Sequence, residues 1–99
     1  MPNGKTSYRR AVYSALDHLL STDDRVVFLG EDIGGYGGAF GVAGDLAVRH
    51  PERVISTPIS EGGFTGVGVG LAMTGYRPVI EIMFMDFLTL AMDQLVNHA

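Results

Sequence analysis

The sequence predicts an α/β fold, a mainly parallel sheet with helices on both faces. Three observations carry the prediction. A short, nearly all-apolar run occurs at residues 26–30, the pattern of a strand buried on both faces, and further short strands are expected at residues 53–56 and 78–83. Stretches with apolar residues at helical spacing lie around them, at residues 6–20 and from residue 87 onward. The two kinds of segment alternate along the chain, and alternating strands and helices build a parallel sheet through crossover connections.

Each element has its own signals. Over residues 6–20, Ala11, Val12, Ala15, Leu16, Leu19 and Leu20 line one side of a helix, with Arg9, Arg10, Asp17 and His18 on the wetter side and Thr6 or Ser7 as the cap. Asp23 and Asp24 turn the chain into the first strand, and Glu31 and Asp32 lie just past its end. Residues 34–38 are a loop by composition, and a short helix is expected at residues 44–50, stopped by Pro51. After the second strand, Pro58 biases Thr57 towards an extended conformation and Ser60 is a good N-cap, so Glu61 falls in the first turn of a helix. Gly62, Gly63, Gly66, Gly68, Gly70 and Gly75 follow, and each interior glycine costs a helix about 1 kcal/mol relative to alanine. Gly62, Gly66 and Gly70 recur four residues apart, a smooth ridge where another backbone or a ligand can lie against the helix. A final helix is expected from Phe87, capped by Asp86. Three strands cannot close such a sheet and the last helix has no stop signal, so the chain reads as the front of a larger domain.

Composition narrows the function classes. Ninety-nine residues allow one small domain, and 46% hydrophobic against 18% charged residues is a globular balance. A net charge of -4 with scattered lysines and arginines argues against nucleic-acid binding. Without cysteine there is neither a disulfide framework nor a thiolate metal site. The uncharged stretch at residues 62–76 is too short and too glycine-rich for a membrane span, and no signal peptide is visible at the start, so an intracellular setting is expected. Gly66-Val67-Gly68-Val69-Gly70 has the wrong spacing for a dinucleotide fingerprint, and no phosphate-binding loop occurs. His18, His50 and His98 are too scattered to suggest a metal centre or a nucleophile triad.

Ligands of open parallel sheets bind outside the carboxyl ends of the strands. Those ends carry Glu31 and Asp32, residues 57–61, and residues 84–87. On residue type alone, Glu31 and Asp32 fit either a ligand-facing position or an Asx turn. Glu61 fits either a site carboxylate or a first-turn acid that stabilises the helix dipole. Glu81 reads as outward-facing or interfacial, and Phe87 by its periodicity as core packing.

The combination of motifs is specific. Gly30-Glu31-Asp32-Ile33-Gly34, Gly37-Gly38-Ala39-Phe40, Thr57-Pro58-Ile59-Ser60-Glu61, Gly75-Tyr76-Arg77-Pro78-Val79-Ile80-Glu81, Asp86-Phe87 and Ala91-Met92-Asp93-Gln94-Leu95 together resemble the beta subunit of the thiamine-diphosphate-dependent, decarboxylating first component of 2-oxoacid dehydrogenase complexes. Acetoin dehydrogenase beta subunits share the resemblance. It covers nearly the whole chain and implies that residues 1–99 form the N-terminal part of a transketolase-like pyrimidine-binding domain, with the rest of that domain and a C-terminal domain absent.

The resemblance implies residue roles as well. Glu61 corresponds to the catalytic glutamate that hydrogen-bonds N1′ of the cofactor's aminopyrimidine. Phe87 corresponds to the aromatic that stacks on that ring, Ile59 and Met83 to its neighbours, and Glu31 to an acid near the cofactor that joins a proton network between sites. Diphosphate and Mg2+ are expected on an alpha subunit, leaving no metal site on this chain. The implied activity is oxidative decarboxylation of a 2-oxoacid by an alpha2beta2 heterotetramer, with acyl transfer to a lipoyl-bearing acyltransferase core. The alternatives are an acetoin dehydrogenase beta subunit and a truncated, non-catalytic cofactor-binding or assembly module. The expected setting is a bacterial cytoplasm, or the mitochondrial matrix if a targeting segment was removed.

Overall fold

The computed structural model describes residues 5–34, 38 and 41–99. Most of the loop expected at residues 34–38, and part of the motif at residues 37–40, lie outside them. The elements run α1 (Tyr8–Thr22), β1 (Val26–Glu31), α2 (Leu46–Arg49), β2 (Val54–Thr57), α3 (Glu61–Met73) and β3 (Arg77–Ile80), followed by a 3₁₀ helix (Met85–Ala91) and a π-helical turn (Gln94–His98).

The sheet is parallel, in the order β2-β1-β3. Its centre is β1, whose six residues are all buried, as its unbroken apolar pattern requires. Side chains alternate between the faces. Val26 and Phe28 join Val54 and the half-buried Val79 on one face, against Leu16 and Leu20 of α1 and Leu46 of α2. On the other face α3 lies so close to β3 that a Cβ at Gly68 would stand 2.2 Å from Ile80 Cδ1. Helices therefore cover both faces.

Local chemistry fixes the ends of α1. The Ser7 hydroxyl accepts from Arg10 N–H at 3.1 Å, an N-cap. At the other end the Arg53 guanidinium donates to the carbonyls of Leu20, Asp23 and Val26, tying α1 to the start of β1. Asp17 and His50 join α1 to the residue after α2, with His50 Nε2 3.0 Å from Asp17 Oδ1.

Three expectations need correction. The third strand ends at Ile80 rather than at residue 83. The last segment is not an α-helix from Phe87 but a 3₁₀ helix from Met85, and Asp86 lies within its first turn while Phe84 holds the cap position. Its first turn is instead held by backbone, with Phe87 N–H donating to Phe84 C=O at 3.0 Å. Finally, the glycine ridge is largely used inside the chain. A Cβ at Gly62 would meet the Leu90 carbonyl at 3.3 Å and one at Gly66 would meet Gln94 Oε1 at 3.0 Å, whereas Gly70 faces open space.

Candidate active site

The connections determine where a ligand can enter. The path from β1 passes through α2 on the α1 face to reach β2, while the path from β2 passes through α3 on the opposite face to reach β3. Chains leaving the adjacent strands β1 and β2 thus diverge to opposite faces, the topological position at which open α/β sheets have their ligand crevice. Glu31 and Thr57, the last residues of these strands, are partners in the sheet register.

Glu61 reaches the same crevice from α3. Thr57 ends β2, Pro58 and Ile59 turn the chain, and the Ser60 hydroxyl caps α3 by accepting from Gly63 N–H at 3.3 Å. A Cβ at Gly63 would stand 2.5 Å from that hydroxyl, so the cap requires glycine there. The cap fixes Glu61 as the first residue of α3, where it is 6% exposed. Glu31 is 5% exposed.

Glu31 and Glu61 form a carboxyl pair within hydrogen-bonding reach of each other. Burial pushes the Glu31 carboxyl up to about 7, reinforced by Glu61 and then by the charges of Asp32 and Glu81. The physical reason is that two buried carboxylates without a cation cannot both ionise cheaply, so the pair retains a proton in the neutral range. Asp32 turns the chain away at once with φ 55, a left-handed conformation uncommon for a non-glycine residue. Its carbonyl accepts from Gly38 N–H at 3.1 Å.

The other expected site residues are more exposed than the pair. Ile59 is 77% exposed, Met83 is half-buried, and Phe87 packs edge-on against Phe84 with centroids 5.6 Å apart at 85°. Phe87 is thus partly exposed rather than the core residue its periodicity suggests. Glu81 is half-buried beside Gly38, where burial raises its carboxyl, and it belongs to the α1 face rather than to the pair. Residue reasoning placed Thr57 at the strand end but gave it no role. Its buried Oγ1 has no partner among the described residues, and neither does Glu31 Oε1.

This arrangement can hold a proton on a buried carboxyl at the carboxyl end of the sheet. No helix among the described residues is long and apolar enough to cross a membrane.

Comparison with known proteins agrees with this architecture. The mitochondrial pyruvate dehydrogenase E1 component subunit beta of Pisum sativum is 47% identical over 92 residues, covering 92% of this chain and 26% of that protein. The corresponding beta-1 subunit of Oryza sativa is 46% identical over the same share of this chain and 25% of its own. The beta subunit of acetoin:2,6-dichlorophenolindophenol oxidoreductase of Cupriavidus necator is 37% identical over 96% of this chain and 31% of its own. The chain thus spans about a quarter to a third of the length of these relatives. Residues 4–99 match the family described as transketolase, pyrimidine binding domain, and the chain belongs to that family.

Proposed function

We propose that this chain supplies the aminopyrimidine-binding half of a thiamine diphosphate site in the beta subunit of a pyruvate dehydrogenase first component, working with an alpha subunit. The observation that carries the reading is the buried carboxyl pair of Glu31 and Glu61 at the divergence of β1 and β2. The residues present fit the group. An aminopyrimidine needs a carboxyl for a ring nitrogen and apolar flanks for its faces, and Glu61 is a carboxyl held at the first position of α3 with the exposed, apolar Ile59 two residues before it.

When bound, thiamine diphosphate supplies the nucleophilic carbon and the electron sink for decarboxylation. Glu61, fixed as the first residue of α3, is the carboxyl that would hydrogen-bond N1′ of the aminopyrimidine. Phe87, Ile59 and Met83 shield the ring from water, which strengthens the hydrogen bond. Glu31, whose carboxyl burial raises, keeps an exchangeable proton beside Glu61. The diphosphate and Mg2+ are assigned to the alpha partner, in an alpha2beta2 assembly that serves a lipoyl-bearing core. Pyruvate is the favoured substrate, because relatives named for it reach 46–47% identity against 37% for the acetoin enzyme. A mitochondrial matrix and a bacterial cytoplasm both suit this role.

The test uses the full-length protein co-assembled with its alpha partner and offered pyruvate, branched-chain 2-oxoacids and acetoin with an artificial electron acceptor. Thiamine-diphosphate-dependent turnover with pyruvate is expected, and Glu61→Gln should reduce it by about 10²- to 10⁴-fold, the usual contribution of a positioned acid-base group. Turnover with acetoin alone would reassign the substrate. Undiminished turnover in Glu61→Gln would remove Glu61 from the chemistry.

A further inference from the structure

Buried polar atoms in folded proteins nearly always have partners, so each orphan asks what satisfies it. Among the described residues three buried side-chain oxygens lack one: Glu31 Oε1, Thr57 Oγ1 and Thr65 Oγ1. Thr65 belongs to the apolar contact between α3, β3 and the terminal segment. The other two are neighbours. Glu31 and Thr57 are register partners on adjacent parallel strands, which lie about 4.8 Å apart. Paired residues project to the same face, and this is the α3 face that holds Glu61.

Both atoms can be satisfied at once. A hydroxyl can donate one hydrogen bond and turns about its Cβ–Oγ bond to do so, whereas a carboxylate oxygen only accepts. The two oxygens do not hydrogen-bond each other as placed, so the Thr57 hydroxyl reaches Glu31 Oε1 either by a change of χ1 rotamer or through a single buried water of the kind that bridges otherwise unsatisfied groups. Among the described residues, the charged groups that act on Glu31 are Glu61 from α3, Asp32 after β1 and, from the other face of the sheet, Glu81 after β3, all acidic. Among the described residues, the Thr57 hydroxyl on β2 is a neutral donor set beside these acids.

We propose that the Thr57 hydroxyl donates a hydrogen bond to the Glu31 carboxyl, directly or through one water, and so acts as the positioning residue that sets where the Glu31–Glu61 pair loses its proton. The inference deepens the proposed cofactor site and rests on that reading for its purpose, but its evidence lies in the protein without cofactor. A donor to the ionised form lowers a carboxyl's pKa. Thr57 thus offsets part of the upward push from burial and from the acidic neighbours, and keeps the pair able to exchange protons near neutrality.

The experiment is a pH titration of the full-length, assembled protein by infrared difference spectroscopy, following the carbonyl band of protonated Glu31, assigned by its loss in Glu31→Gln. Thr57→Val keeps the shape and strand preference but removes the hydroxyl, and the band's midpoint should rise by about one pH unit, the size expected for losing a hydrogen bond to a charged group. Thr57→Ser should titrate as the unsubstituted protein does. Equal midpoints in Thr57→Val and the unsubstituted protein would overturn the proposal. A crystal structure of the unsubstituted protein gives a reading that needs no variant. Thr57 Oγ1 should lie within hydrogen-bond distance of Glu31, or of a water that also touches it, and a hydroxyl bonded elsewhere would overturn it. Repeating the titration with thiamine diphosphate separates the two readings, since an unchanged spectrum would count against the cofactor site while leaving the Thr57 comparison intact.

Discussion

The two faces of the sheet solve different problems with the same strands. On the α1 face Leu16, Leu20, Val26, Phe28, Leu46 and Val54 close into an apolar cluster. Polar groups at its edge are matched, with Asp17 held by His50 and Arg49 and the Tyr13 hydroxyl donating to Asp45. On the α3 face the covering helix is rich in glycine, and the orphaned oxygens of Glu31, Thr57 and Thr65 belong to that side. One face is saturated and the other keeps unspent hydrogen-bonding capacity. Stability and chemistry are thus separated by the thickness of a single sheet, and substitutions on the two faces should fail differently.

The largest effect is expected at Phe28, which is 2% exposed at the centre of the saturated face. Phe28→Ala should cost about 3–5 kcal/mol, from lost transfer energy and the cavity left behind. Denaturant unfolding of the full-length assembly would register it as a lower midpoint with little change in slope. Protein that remains folded should keep the Glu31 titration unshifted, because Phe28 points away from the pair. A moved Glu31 midpoint would mean that the faces are coupled.

Glu31 gives the next effect and carries a sign. Its folded value, about 7, lies above the ordinary 4.5, so between those values the folded chain binds more protons than the unfolded one. The stability that Glu31 contributes is then fully present below about pH 4.5, falls as pH rises through the window and is lost above about 7. Integrated over the window the loss is about 3 kcal/mol. Glu31→Gln should remove that slope and raise stability at pH 8 relative to pH 5. Asp17 on the saturated face behaves oppositely. The hydrogen bond from His50 and the Arg49 charge hold its carboxyl below the usual 3.8, so its contribution is present at neutral pH and lost only in acid. Unfolding midpoints collected from pH 4 to 8 for the unsubstituted chain and Glu31→Gln would decide the matter, and parallel curves would contradict the buried pair.

How much of this was legible beforehand follows the same division. The saturated face announced itself through runs and periods, because burial on both sides of a strand demands an unbroken apolar stretch and an amphipathic helix demands a spaced one. The Ser60 cap and the placement of Glu61 were equally local and equally readable. The pairing of Glu31 with Glu61 was not, since it depends on which strands are neighbours, and only the family resemblance brought the two residues near one cofactor. The third strand was overextended because residues 81–83 remain apolar enough to look like strand after the ladder has ended. The terminal segment was misread as a regular α-helix because Leu88, Leu90, Ala91 and Leu95 satisfy a helical period loosely, and nothing in the spacing separates 3₁₀, α and π windings. Glycines were the hardest to interpret. Regular spacing drew attention to Gly62, Gly66 and Gly70, yet the tightest approach is at Gly68, which no periodicity marks.

That last contrast yields the smallest effects and the finest test. Gly68 and Gly70 are two residues apart on one helix, yet a Cβ at Gly68 would sit 2.2 Å from Ile80 Cδ1 while one at Gly70 meets nothing within 4 Å. Gly68→Leu should force α3 off β3 and cost about 1–3 kcal/mol by overpacking. Gly70→Ala should instead add about 0.5–1 kcal/mol, since alanine restricts the unfolded chain and suits a helix interior. Thermal unfolding of the full-length protein, before and after assembly with its partner, separates local propensity from contact. A gain that appears in the isolated subunit and vanishes on assembly would mean that a neighbouring surface lies against Gly70, so the open end of the ridge completes its packing between chains. A gain that persists would leave Gly70 in solvent and confine the ridge to the contact with residues 90 and 94 of the chain's own terminal segment.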